Sequence, residues 1–252
     1  MFLPERTADR VPTRLHTQTE QGNRKELSFS EQNLSFSEQQ SSGGWKESGR
    51  MRLGTQSAKY FYKISRQRKE QTMKLVGLDF ETANPNSGSI CAVGAALLED
   101  GKLTKTCEWL VRPHTSVDWM LPKFTEIHGI EYLELRESPE FPEIWDSLKG
   151  ILLSGECVIA HNAQFDLRHL KCALKLYSLP AIAFPYACSL EISREHLPDL
   201  PSHTLDSVAA HFGFTFKHHD ALDDAIACAR IVANTGLQKK FIRKFEFSPN
   251  ME

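Results

Sequence analysis

The chain has 252 residues, 40% hydrophobic and 25% charged, which is the balance of a soluble globular protein with one large or two small domains. Its 30 Lys+Arg against 32 Asp+Glu give a formal net charge of −2, which argues against nucleic-acid binding through bulk positive charge. No run approaches about 18 apolar residues, and the Met1-Phe-Leu-Pro start has no apolar leader, so no membrane span, no signal peptide and a cytoplasmic location are expected.

Residues 1–72 carry 13 Lys+Arg against 8 Asp+Glu and are rich in Gln and Ser. Such a segment buries too little apolar surface to offset its ordering entropy, so a disordered basic extension is predicted. It holds a short tandem repeat, Leu27-Ser-Phe-Ser-Glu-Gln32 and Leu34-Ser-Phe-Ser-Glu-Gln39, and a basic aromatic stretch over 59–69. Met73, directly before the first apolar run, is a natural start for a compact domain over 73–240, followed by a short tail over 241–252.

In chain order, 74–80 reads as a buried strand, followed by strands at 91–98 and 104–111 joined through an Asp100-Gly101 hairpin turn. A short helix over 121–128 is closed by Gly129, and helical spacing returns over 141–153. The segment 156–160 is a short buried strand, 166–177 a helix, 184–189 a strand, and 204–212 and 220–235 helices. A three-strand meander followed by alternating α and β elements defines an α/β domain. All six cysteines lie in this body without C-x-x-C pairing, as reduced buried thiols would.

Three acidic blocks stand out in fixed order: Asp79-Phe80-Glu81-Thr82, His161-Asn162-Ala163-Gln164-Phe165-Asp166, and His219-Asp220-Ala221-Leu222-Asp223-Asp224. Each puts carboxylates at the end of an apolar strand or the start of a helix. Carboxylates gathered in one cleft need cations, and two divalent metals are the natural partners. Asp79 and Glu81 are two apart, so in a strand both point to one face while Phe80 points to the other. Asp166 falls in a first helical turn, where the helix dipole favours it. Asp220 is also a helix N-cap candidate. A histidine in the third block can take a proton from water near neutral pH. Periodicity leaves both His218 and His219, and both Asp223 and Asp224, open.

In combination the blocks resemble the DEDDh class of 3′–5′ exonucleases, the family of the proofreading epsilon subunit of bacterial DNA polymerase III, ribonuclease T and oligoribonuclease. The resemblance covers residues 74–235. It includes Glu126-Ile127-His128-Gly129-Ile130 and Leu200-Pro201-Ser202-His203-Thr204-Leu205. It implies a ribonuclease H-like fold, a mixed five-stranded sheet flanked by helices. It implies two Mg²⁺ or Mn²⁺ ions on Asp79, Glu81, Asp166 and Asp224, and selects His219 as general base because the family places the last acid five residues after the histidine. The implied reaction releases nucleoside 5′-monophosphates from the 3′ end of a single strand, with Thr82, Phe80, His161, Asn162 and Phe165 as substrate contacts. A DNA polymerase is a candidate partner, in replication or repair. Single-stranded DNA is the leading substrate, with RNA trimming and a non-catalytic binding module as alternatives. The sequence departs from the family at Thr82-Ala83-Asn84, where many members have Thr-Thr-Gly.

Overall fold

The computed structural model describes residues 73–249. The expectations for 1–72 (disorder, the repeat, the basic stretch) lie outside the described residues.

The meander forms as read. β1 (Lys74–Thr82), β2 (Ile90–Glu99) and β3 (Lys102–Leu110) are joined antiparallel. The β2–β3 turn puts Asp100 at φ 52° and Gly101 at φ 76°, the left-handed pair that a two-residue hairpin demands and that Asp-Gly supplies cheaply. β4 (Cys157–Ala160) pairs parallel with β1, and β5 (Ile182–Cys188) parallel with β4.

The sheet has six strands in the order β3-β2-β1-β4-β5-β6, not five. The extra strand, β6 (Arg243–Phe247), pairs antiparallel with β5 inside the segment expected to be a tail. Its alternation buries Phe245 and Phe247 while Lys244 and Glu246 face water, and Phe245 stacks on Phe184 with ring centroids 4.8 Å apart. The domain therefore runs at least to Phe247.

Helices cover both faces. α1 (Pro122–His128) starts on proline and ends at Gly129, φ 77°, a left-handed C-cap. α2 (Tyr132–Leu135) is a single turn with a capping box. α3 (Phe141–Leu152) and α4 (Gln164–Leu176) pack Ile144, Leu148, Leu170 and Leu174 on the sheet face that carries Val76, Leu78 and Phe80. α5 (Ser189–His196), absent from the sequence reading, lies with α6 (Leu205–His211) and α7 (Ala221–Thr235) on the other face, over Leu75, Cys157 and Ile159. No helix among the described residues is long and apolar enough to cross a membrane. All six cysteines are free, and five are buried.

Two glycines decide how α7 sits. A Cβ on Gly77 would lie 1.8 Å from the Ala225 carbonyl oxygen, and one on Gly94 would lie 2.0 Å from that of Ala221. The helix backbone thus rests directly on β1 and β2, with Ala221, Ala225 and Ala229 as its inward face. Isolated strand glycines mark such close approaches.

Candidate active site

The site forms at the C-terminal ends of the parallel strands β1 and β4, where open α/β sheets gather ligands. Asp79 and Glu81 project from β1 toward α7, as their two-residue spacing requires, and Phe80 projects away. The close seating of α7 brings Asp224, in its first turn, over them. Carboxylate oxygens of Asp79, Glu81 and Asp224 all lie within 4.8 Å of one another. Asp166 joins from the first turn of α4. Its Oδ1 accepts a 3.2 Å hydrogen bond from the Phe80 N–H, and the residue is fully buried. This bond threads the fourth acid between its two neighbours on β1.

Like charges crowded out of water resist ionisation. Burial, then Asp166, Asp224 and Glu81, hold the Asp79 carboxyl well above the usual range. Asp79 nevertheless keeps partial exposure at the mouth of the cleft. Burial and then Asp224 and Asp220 push Glu81 up to about 8. Asp166 is raised well above its ordinary value by burial, against hydrogen bonds to the carboxylate that act in the opposite direction. Asp224 is raised by burial and partly brought back by His218. Among the described residues, the leading groups that shift these four acids include no Lys or Arg. Four hard oxygen donors so arranged fit divalent metal ions, which would supply positive charge there.

The histidine pair is arranged by the backbone. His219 has φ 63°, so the chain reverses there, and the two imidazoles stack with centroids 4.0 Å apart at 15°. His218 Nδ1 lies 3.2 and 3.1 Å from the two Asp224 oxygens, and the His219 N–H donates to Asp224 Oδ2 at 3.2 Å. Burial, then His218, lowers the His219 pKa from its ordinary value. Asp220 is the N-cap of α7, accepting from the Asp223 N–H at 3.2 Å. Asp223 accepts from the Lys217 N–H and stays outside the acid cluster.

Two of the expected substrate contacts have their side chains engaged within the fold. Phe80 is 3% exposed within the core of the α3/α4 face, so only its backbone serves the site. His161 has both ring nitrogens committed, Nδ1 to Ser189 Oγ at 2.9 Å and Nε2 to the His203 carbonyl at 3.0 Å. Burial lowers its pKa to about 4, so it ties β4 to the Pro-Ser-His stretch as a neutral ring. Asn162 at φ 63° is exposed, and Phe165 is half-buried, packed on His169 at 4.5 Å with Arg168 over its ring.

Other residues support the site without a clear sequence signal of their role. The β1–β2 register shifts between Glu81 and Thr82, skipping Cys91 on β2, at the end of β1 that carries Thr82. Buried His128 pins it: the Ile130 N–H donates to Nδ1 at 3.0 Å, leaving Nε2 to donate to the Thr82 carbonyl at 3.3 Å. Asn84, at the family's glycine position, is fully buried. Its Nδ2 donates to the Val117 and Trp119 carbonyls at 2.9 and 2.7 Å, so this side chain anchors the neighbouring loop.

A six-stranded mixed sheet with helices on both faces, with two acids on β1 and two in the first turns of α4 and α7, defines a ribonuclease H-like fold. Residues 76–232 match the sequence profile of the RNase T exonuclease family, and the chain belongs to that family. Its curated relatives include DNA polymerase III of PolC type from Thermotoga petrophila and Thermotoga maritima. They are 31% and 32% identical over 159 residues, 62% of this chain. The match spans only 11% of those proteins. Among solved structures, exonuclease X with 5′ overhanging duplex DNA matches at TM-score 0.51 and 22% identity, over 64% of this chain and 89% of that one. The nuclease domain of 3'hExo, a DEDDh family member bound to rAMP, matches at TM-score 0.56 and 17% identity, over 65% and 92%. At these identities the likeness shows the fold.

Proposed function

We propose that this chain is a 3′–5′ exonuclease that removes nucleoside 5′-monophosphates from single-stranded DNA, with two Mg²⁺ or Mn²⁺ ions as cofactors. The observation that carries the reading is the convergence of Asp79, Glu81 and Asp224 within 4.8 Å of one another, with Asp166 joined to the same strand through the Phe80 N–H. These four residues would hold the metals, whose chemistry is to stabilise charge on the attacking and leaving oxygens of a phosphodiester. His219 is the base. Its lowered pKa keeps an imidazole nitrogen unprotonated near neutral pH, free to accept a proton from the attacking water. The Thr82 end of β1, fixed by His128, would receive the terminal nucleotide. Asn162 and half-exposed Phe165 at the start of α4 offer a polar group and an aromatic face to the strand.

DNA is favoured because the curated relatives named above are DNA polymerases. The chain spans a small part of those proteins, so association with a polymerase belongs to the same proposal. Matched DNA and RNA strands labelled at the 5′ end, incubated with Mg²⁺, test it. DNA is expected to shorten from its 3′ end faster than RNA. The reverse preference would make the chain an exoribonuclease, and no metal-dependent shortening of either would refute the nuclease assignment.

A further inference from the structure

We infer that His218, His219 and Asp224 form a second metal site, selective for a transition-metal ion such as Zn²⁺, that switches the enzyme off. It rests on the reading above, since it borrows two residues from the proposed reaction.

Asp224 faces two different donor sets. On one side are the oxygens of Asp79 and Glu81. On the other are the imidazoles of His218 and His219, with one donor atom from each and an Asp224 oxygen all within 4.8 Å of one another. Side chains of adjacent residues normally diverge. Here the left-handed backbone at His219 turns both rings to one side of the chain. His218 already points a ring nitrogen at Asp224, at 3.1–3.2 Å from both oxygens, and its side chain is 39% exposed, which gives an ion a path from solvent.

The donor chemistry separates the two sets. Oxygen-only clusters suit Mg²⁺ and Mn²⁺, whereas a His-His-carboxylate set suits Zn²⁺, which takes three protein ligands and a water. Imidazole donors also follow the order in which Cu²⁺ and Zn²⁺ outcompete Mn²⁺. The stacked rings must splay for both nitrogens to meet one ion, a rotation that exposed His218 can make on its own. An ion held there takes Asp224 away from the acid cluster and caps the ring of the general base. Inhibition follows without displacement of Asp79 or Glu81. His218 is the one member of this set that the proposed reaction does not use directly, although it touches Asp224 and stacks on His219, so its removal takes a ligand from the second site while leaving every proposed metal ligand and the base in place.

The test uses the full chain and the metal alone. Co²⁺ is titrated into Mg²⁺-free wild type and His218→Ala protein, followed by its visible absorption. Wild type is expected to show an imidazole-ligated Co²⁺ band that the variant lacks, competed away by Zn²⁺. In cleavage assays at fixed excess Mg²⁺, with each protein's rate normalised to its own Zn²⁺-free rate, His218→Ala should need at least about tenfold more Zn²⁺ for half-inhibition, since losing a ligand costs no less than losing the outer partner of one. Identical Co²⁺ spectra in the two proteins would overturn the inference, as would equal Zn²⁺ sensitivity. The Co²⁺ arm needs no catalysis, so its outcome stands apart from a failure of the nuclease reading.

Discussion

Replacing Glu81 with Gln should stabilise the metal-free protein while removing its activity. Glu81 is 9% exposed and its pKa is pushed from 4.5 to about 8 by burial and by Asp224. A carboxyl raised in the folded state binds more protons folded than unfolded, so its contribution to stability falls as pH rises from about 4.5 to about 8. A shift of this size corresponds to about 5 kcal/mol at roughly 1.4 kcal/mol per unit. Water entry and relaxation reduce such penalties, so a gain of about 2–3 kcal/mol is expected for Glu81→Gln at pH 8. For a chain of this size that is a rise of roughly 5–10 °C in melting temperature. Below about pH 4.5 the group is protonated in both states and the two proteins should melt together. Thermal melts from pH 4.5 to 8.5 with a chelator read this out, and added Mg²⁺ should recover the wild type preferentially. Equal melting temperatures at pH 8, or a Glu81→Gln protein less stable than wild type there, would refute the claim that uncompensated charge is stored at this strand end.

Gly94→Ala would place a methyl 2.0 Å from the Ala221 carbonyl oxygen. A loss of about 3 kcal/mol by chemical denaturation is expected, with cleavage down about 100-fold at temperatures where the variant stays folded, because α7 carries Asp224 with it. His128→Ala removes the tie to the Thr82 carbonyl and leaves a buried acceptor and the Ile130 N–H unpaired. About 2 kcal/mol of stability and a larger proportional loss in kcat than in KM are expected from melts and steady-state kinetics. Asn84→Gly returns the family's residue but strips the bonds to Val117 and Trp119. About 1–3 kcal/mol should be lost, and trypsin cleavage at Lys123 should quicken.

Much of this was legible in the sequence, for identifiable reasons. The meander carried strong local signals, an Asp-Gly turn between apolar runs, and α1 had both its proline start and its glycine stop. Asp79 and Glu81 share a face by the two-residue period alone. What the sequence hid depends on contacts distant in the chain. The resemblance implies Phe80 as a substrate contact, yet the two-residue period that pairs the acids sends its ring into the core. His161 looked available until α5, a helix without strong end signals, supplied Ser189 to its ring. β6 is a five-residue alternation near the end of the chain, short enough to pass for a tail. The seating of α7 on Gly77 and Gly94, which sets the Asp224 distance, is visible only once helix and sheet are together.

The central claim is that Asp79, Glu81, Asp166 and Asp224 act together as a metal site. It is tested most directly by counting Mn²⁺ ions bound to the His218→Ala protein with a nucleoside 5′-monophosphate present, with and without a further Asp79→Ala change. Two tightly bound ions are expected with Asp79 in place and at most one without it. Two ions retained after loss of Asp79 would contradict the account.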